Sequence, residues 1–396
     1  DGAGRGENEL TFDPVPFRVD VPQDAITDLR ERLGRTRWPD QIDGYGWQQG
    51  AELHAVQRYA SYWTNGYDWR AAEADLNRLS HFTAHVARLR LHFVHERSPH
   101  ARAVPLLILH GWPGSFFEFH KLIEMLTRPE LHGGDPADAF HVIAPSLPGF
   151  AFSEAPRKPG MHPGAVAEVM HTLMHDVLGY KRYAAQGGDW GALVASGMAL
   201  RRPESVVGLH LNMQGYRAKT GGDARPLDDE EKKWLGNARA MFAEDMAYFA
   251  IQGTRPTSLA YGLHDSPAGL LGWFLEKFTA WTDCDGVLED AVTRDEFLTN
   301  LMLYWATGSI ASAARIYYEH LHTGDRAILP AGERVEVPTA MAVFPREILI
   351  GPRQWVERAY NIVRWTEMPR GGHFAALEQP ELLATDIRAF FRDQFS

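Results

Sequence analysis

Gly187-Gly188-Asp189-Trp190-Gly191 is the run whose residue types and spacing most directly imply chemistry. It follows a stretch read as a strand and opens one read as a helix. This is the G-x-nucleophile-x-G pattern of a sharp strand-to-helix turn, with Asp where an esterase mounts Ser. Glycines flank the centre because the turn is too tight for side chains, and the helix N-terminus beneath favours an anion. A carboxylate held there attacks a carbon electrophile and becomes an ester. Taken singly, the run also fits an ordinary glycine-rich turn capped by Asp, so the reading of Asp189 as nucleophile rests on the partners that follow it. No G-x-S-x-G occurs in the chain, so a serine hydrolase of this design would lack its nucleophile.

Those partners come in the order nucleophile, acid, histidine. His373 stands in Arg370-Gly371-Gly372-His373-Phe374, just after the last predicted strand. With 18 histidines in the chain, its place on that loop is the argument and its residue type is not. Glu347, after a predicted strand at 337–344, is the chosen acid to orient the imidazole and stabilise its charged form, with Glu367 and Asp325 as alternatives. An oxyanion needs two backbone amides aimed at it. Trp190 supplies one by following the nucleophile. The loop His110-Gly111-Trp112-Pro113-Gly114-Ser115 supplies the other through Trp112, with a cis Trp112–Pro113 bond expected and His110 read as a structural hydrogen-bonder.

The elements that must position these residues fall into a pattern. Residues 12–81 read as helical, after a short extended piece at 19–22, with Ile26, Leu29 and Leu33 on one helix face and Val56, Tyr59, Ala60 and Trp63 on another. Their dense aromatics (Trp38, Trp47, Tyr59, Tyr62, Trp63, Trp69) are read as packing against a neighbouring domain. From residue 82 strands alternate with helices. Strands are expected at 104–109, 140–144, 182–186 and 206–211, and helices at 116–126, 166–177 and 190–201. Between 215 and 325 the strand signals vanish and a helical, aromatic-rich insertion is expected. Alternation then resumes with strands at 337–344 and 362–368 and helices at 354–360 and 381–395. This is a doubly wound parallel sheet with a helical lid over its carboxyl edge, where ligands of such sheets bind.

Bulk properties narrow the class. With 396 residues and 45% hydrophobic content the chain can bury a core without staples. A single cysteine, Cys284, excludes an intramolecular disulfide and a cysteine-built metal site, and fits a reducing compartment. A formal net charge of −11 argues against a general nucleic-acid surface. No run of 18 apolar residues is present, and the polar opening residues 1–10 have no signal-peptide pattern.

Several motifs together resemble the microsomal-type epoxide hydrolases: the loop 110–115, the turn 187–191, Leu301-Met302-Leu303-Tyr304-Trp305-Ala306-Thr307-Gly308, and Arg370 to Ala376. The resemblance spans nearly the whole chain and includes soluble bacterial members, those of natural-product (enediyne) biosynthesis among them. It implies an α/β-hydrolase fold: a mostly parallel sheet with flanking helices, an N-terminal segment (1–81) wrapping the core, core parts at 82–214 and 326–396, and a helical lid at 215–325. It also implies two lid tyrosines that hold and protonate the epoxide oxygen. These map to Tyr248 and Tyr317, with Tyr318 as the alternative to the latter. Phenols suit the task because they donate while protonated at neutral pH. The implied reaction opens an epoxide to a vicinal diol through an ester on Asp189, which water activated by His373 and Glu347 then hydrolyses.

No cofactor or metal is required, and the partners implied are water and an apolar or aromatic epoxide, with Phe152, Trp305 and Phe374 as candidate pocket residues. Membrane-bound relatives carry an N-terminal anchor that is not seen here, so a soluble cytoplasmic enzyme of detoxification or secondary metabolism is expected, with a homodimer left open. Ala151 stands where the family usually has Gly, which is locally costly if φ is positive there. Two rivals remain. A haloalkane dehalogenase would share Asp189 and His373 but need halide-stabilising donors, one of which Trp190 could provide. A non-catalytic hydrolase-fold binding protein would have lost the nucleophile or the histidine.

Overall fold

The computed structural model describes residues 13–324 and 327–395. Strand β1 (Val15–Pro16) joins the sheet edge, where Val15 and Pro16 pair antiparallel with Thr83 and Phe82. Helix α1 (Gln23–Gly34) starts after Pro22, whose φ of −56° suits a helix entrance, and buries Ile26, Leu29 and Leu33. Helix α2 (Leu53–Asn65) is capped by Glu52, which accepts from the amides of His54 and Ala55, and it buries Val56, Tyr59, Ala60 and Trp63. Helix α3 (Trp69–Leu76) is capped by Asp68. Residues 19–22 form no strand: the Asn77 side chain takes both the amide and the carbonyl of Val19, so no sheet partner is needed.

Strands β2 (His81–Val86) and β3 (Leu89–Glu96) pair antiparallel. Then come β4 (Val104–Leu109), α4 (Leu122–Thr127), β5 (Phe140–Pro145), α5 (Pro163–Thr172), β6 (Tyr183–Gly187), α6 (Trp190–Arg201) and β7 (Val206–Leu211). The helix expected over 116–126 is divided: Phe116–Phe119 is a 3₁₀ turn, with the amides of Glu118 and His120 bonding three residues back, and α4 follows it.

The insertion comprises β8 (Arg217–Ala218), α7 (Asp229–Asp245), α8 (Ala247–Thr254), α9 (Pro256–Asp265), α10 (Pro267–Trp281), α11 (Arg294–Thr307), α12 (Ile310–His322) and β9 (Ile328–Leu329). The expectation of no strand here is corrected, because β8 and β9 pair in parallel and tie the two ends of the helical stretch together. Two residues per strand are too few for alternation to show in a sequence. The chain ends with β10 (Val335–Val343), α13 (Arg353–Val356), β11 (Tyr360–Glu367), α14 (Ala375–Glu378) and α15 (Pro380–Phe395). The helix expected at 354–360 shrinks to one turn, since the chain already pairs as a strand at Tyr360.

Among the described residues the main sheet has nine strands in the order β1-β2-β3-β5-β4-β6-β7-β10-β11, parallel from β5 onward. The chain moves outward from β4 to β5 and then returns across β4 to β6. That reversal opens a crevice beyond the carboxyl ends of β4 and β6, where ligands of open α/β sheets bind. The loop 110–115 leaves β4 there, and Asp189 leaves β6. No helix of the described residues is long and apolar enough to cross a membrane.

Candidate active site

Asp189 joins β6 to α6 with φ 50° and ψ −132°, a backbone conformation rarely adopted by residues with a side chain. The surroundings enforce it: a Cβ on Gly191 would lie 2.1 Å from the carbonyl oxygen of Leu109, so β4 and α6 approach this closely only with glycine between them. The turn lifts the Asp189 carboxylate above the sheet. Its Oδ1 accepts the Trp112 amide at 2.8 Å, and its Oδ2 lies 3.2 Å from His373 Nε2. The Trp112–Pro113 bond is cis. Trp190 follows as the first residue of α6.

His373 Nδ1 lies 2.7 Å from Glu347 Oε1, which also accepts the amides of Ile348 and Leu349. Burial by itself would push the imidazole down, but the Glu347 and Asp189 carboxylates outweigh it and hold the ring well above its ordinary value. Of the alternative acids, Glu367 ends β11 with no bond to His373, and Asp325 lies outside the described residues. His110 is buried and pushed down to about 4 by burial. Its Nε2 accepts the Leu147 amide, so it is a neutral brace for the loop.

Tyr248 on α8 and Tyr317 on α12 stand over the carboxylate, their ring centroids 5.9 Å apart at 82°. Trp112 stacks on Tyr248 at 5.3 Å, and Trp190 meets Tyr317 edge-on at 4.7 Å. Burial first, and then the charge of Asp189 among others, holds both phenols well above their ordinary value, so both stay protonated. Tyr318 points elsewhere: it is exposed and stacks on His322 at 3.9 Å. Asp189, Trp190, Tyr248 and Tyr317 line one cavity of about 700 Å³, walled mainly by aliphatic and aromatic side chains such as Met213 and Phe249.

The three candidate pocket residues do not line this cavity. Phe152 packs among Phe17, His92 and Phe116 beneath the N-terminal segment. Trp305 is half-buried against the core on α11. Phe374 stacks on Phe278 at 4.0 Å behind the histidine. Phe374 also borders the small space that Asp189 and His373 share, so the correction falls on Phe152 and Trp305, for one cause: an aromatic residue near a motif in sequence is more often core than wall.

Other residues escaped the sequence reading. Glu378 accepts the amides of Asp283 and Phe374, and the His373 amide donates to Trp281 O, so the histidine loop is clamped to the end of α10. Lys277 pairs with Asp245 at 2.8 Å and sits 4.8 Å over the Tyr248 ring. Glu118 lies close behind Asp189, lining a small space with it. The available signal was an acid one turn beyond a motif, as Glu378 and Glu118 are, and it is too common to single out.

Residues 14–119 match the family described as epoxide hydrolase N terminus, and residues 104–261 match the alpha/beta hydrolase fold. A Stigmatella aurantiaca protein whose name places it among epoxide hydrolases is 45% identical, over 96% of this chain and 84% of that protein. Epoxide hydrolase 1 of Sus scrofa is 38% identical over 95% and 88%. The crystal structure of juvenile hormone epoxide hydrolase from Bombyx mori superposes with a TM-score of 0.86 at 32% identity, covering 96% of this chain and 94% of that one. Likeness along almost the entire chain, joined to a sheet edge that presents an aspartate and a histidine beneath two phenols of the helical insertion, leads to one conclusion: the chain belongs to the epoxide hydrolase family, on the α/β-hydrolase fold.

Proposed function

We propose that the chain opens an epoxide to a vicinal diol in two covalent steps centred on Asp189. Asp189 Oδ2 attacks an epoxide carbon, the ring C–O bond breaks, and the leaving oxygen takes a proton from the Tyr248–Tyr317 pair. Ester formation deletes the charge of Asp189, one of the two carboxylates that hold the His373 proton. His373 then sheds that proton, which balances the one drawn from tyrosine, and becomes a base. It takes a proton from water, whose oxygen bonds to Cγ of Asp189. The charge that develops on Oδ1 is held by the Trp112 and Trp190 amides, each such donor being worth roughly 3 kcal/mol. The Cγ–Oδ2 bond breaks, Oδ2 takes the proton from His373, the diol departs with Oδ2, and the new Asp189 carboxyl returns its own proton to His373. Glu347 keeps the imidazole oriented throughout.

The observation that carries this reading is the pair of contacts of His373, 3.2 Å to Asp189 and 2.7 Å to Glu347, beneath two buried phenols. The apolar cavity walls favour an apolar or aromatic epoxide. In the same reading residues 1–81 wrap the core, residues 215–325 form the lid, and the enzyme works in the cytoplasm. A single turnover in ¹⁸O-water tests the mechanism: the first diol should carry only ¹⁶O from Asp189, with the label left in the protein. Label entering that diol directly would sink the ester intermediate. Halide release from a haloalkane, with epoxides untouched, would favour the dehalogenase instead.

A further inference from the structure

Asp189 lines two spaces, and among the described residues lining them it is the one shared by both. On one side is the cavity of about 700 Å³ with the two tyrosines. On the other is a small space, about 10 Å³ for the centre of a water molecule, bordered by Trp112, Glu118, Asn212 and His373. That volume suits about one water, and a buried water needs two to four polar partners. Here the His373 ring, the Glu118 carboxyl, the Asn212 amide and Asp189 itself are available. Substrate reaches the carboxylate from the large cavity, so the nucleophile separates the two reactants of the second step.

Glu118 is the acid on that wall that faces His373 across the small space. It sits on the 3₁₀ turn after the loop 110–115 and packs on that loop's backbone: a Cβ on Gly114 would fall 1.7 Å from its Oε1. The amides of Gly111 and Ser115 meet its carboxyl, and the nearby His373 charge also favours its ionised form. Burial outweighs those influences and pushes it up to about 8, so it is a neutral acid near pH 7 that can both donate and accept. A neutral group there does not compete with Glu347 for the proton of His373.

We propose that Glu118 positions the water that cleaves the Asp189 ester, holding it in this small chamber against His373 Nε2. The inference rests on the ester reading above. The water gives its proton to Nε2, its oxygen bonds to Cγ of Asp189, and the Cγ–Oδ2 bond breaks. The diol leaves with Oδ2 and takes the proton from His373. Glu118 supplies no electrons and keeps its proton, acting as a positioning residue through the water.

Rapid mixing with an aryl epoxide, followed by acid quench and intact mass, resolves ester formation from ester breakdown. Glu118→Leu should slow breakdown about 10- to 100-fold, the scale of misplacing a reactant by an ångström, so that alkylated protein accumulates. Glu118→Gln keeps the shape and the hydrogen-bonding groups and should restore breakdown to within about threefold of the parent. Ester formation should change little in either. Breakdown at the parental rate in Glu118→Leu overturns the proposal, as does an equal fall of both steps or an identical defect in Gln and Leu. If the parent protein itself never shows an alkylated species and ¹⁸O enters the first diol, the ester reading has failed instead.

Discussion

His373 works as part of one charge system with Asp189 and Glu347, and its pH behaviour follows. Its folded value lies above the unfolded one because the two carboxylates outweigh burial. Its contribution to stability is therefore complete below about pH 6.5 and is lost as pH rises through the raised folded value. Glu347→Gln removes one support, so His373 should titrate at lower pH. The low-pH limb of ester breakdown should move in the same direction while the plateau falls; single-turnover pH profiles check this, and an unmoved limb counts against the pairing. The tyrosines separate by burial. Tyr248→Phe or Tyr317→Phe should each slow ester formation about 10²- to 10³-fold, the scale of one lost donor. Tyr318→Phe, on an exposed side chain, should leave it unchanged. Equal effects in Tyr317→Phe and Tyr318→Phe would remove Tyr317 from its role.

Elements are held to the sheet by a few buried polar ties. Asp386 on α15 meets His210 Nε2 of β7 at 2.9 Å, and accepts from Thr366 and Arg364 of β11 at 2.7 and 2.8 Å. Burial pushes this carboxyl up, but those partners outweigh it and hold it at about 2, below its ordinary 3.8. The stability it contributes is present above pH 4 and is lost as pH falls towards 2. Asp386→Asn should cost about 3 kcal/mol at pH 7 by urea unfolding, because it strips a buried pair of one charge. The deficit relative to the parent should narrow on acidification, and a deficit constant from pH 7 to 2 would contradict the assignment. Ala151 is buried with φ 44°, so the local strain expected of an alanine there at positive φ is present.

Across the whole molecule the N-terminal segment packs on α11 and on α10, whose end clamps the histidine loop. Tyr59 packs edge-on against Phe297 at 5.4 Å, Tyr67 bonds Thr299 at 2.9 Å, and the Tyr62 hydroxyl donates to Asp295 at 2.7 Å. The end of α10 in turn grips the histidine loop through Trp281 and Asp283. Trp63, buried at 2% exposure, belongs to the same packing. Trp63→Ala should cost about 3–5 kcal/mol and lower a single cooperative thermal transition in which activity and tertiary signal disappear together. An early transition that leaves activity intact would show the segment to be a passive wrapping.

The sequence by itself determined what is local or ordered along the chain: the glycine-bounded turn at Asp189, the histidine loop, the acid between them and the alternation of strands and helices. Tight turns and periodic burial leave marks within ten or twenty residues, and the order of the proposed catalytic groups is a property of the chain. The tertiary structure decided which distant residues meet. Glu118, Asp189 and His373 share one small space because β4 and β6 are neighbours in the sheet and α10 pins the histidine loop. Phe152 and Trp305 left the pocket because their apolar surface finds the core first. The choice between Tyr317 and Tyr318, adjacent in sequence, was made by the rotation at which α12 packs over the sheet, since residues one apart on a helix point about 100° apart.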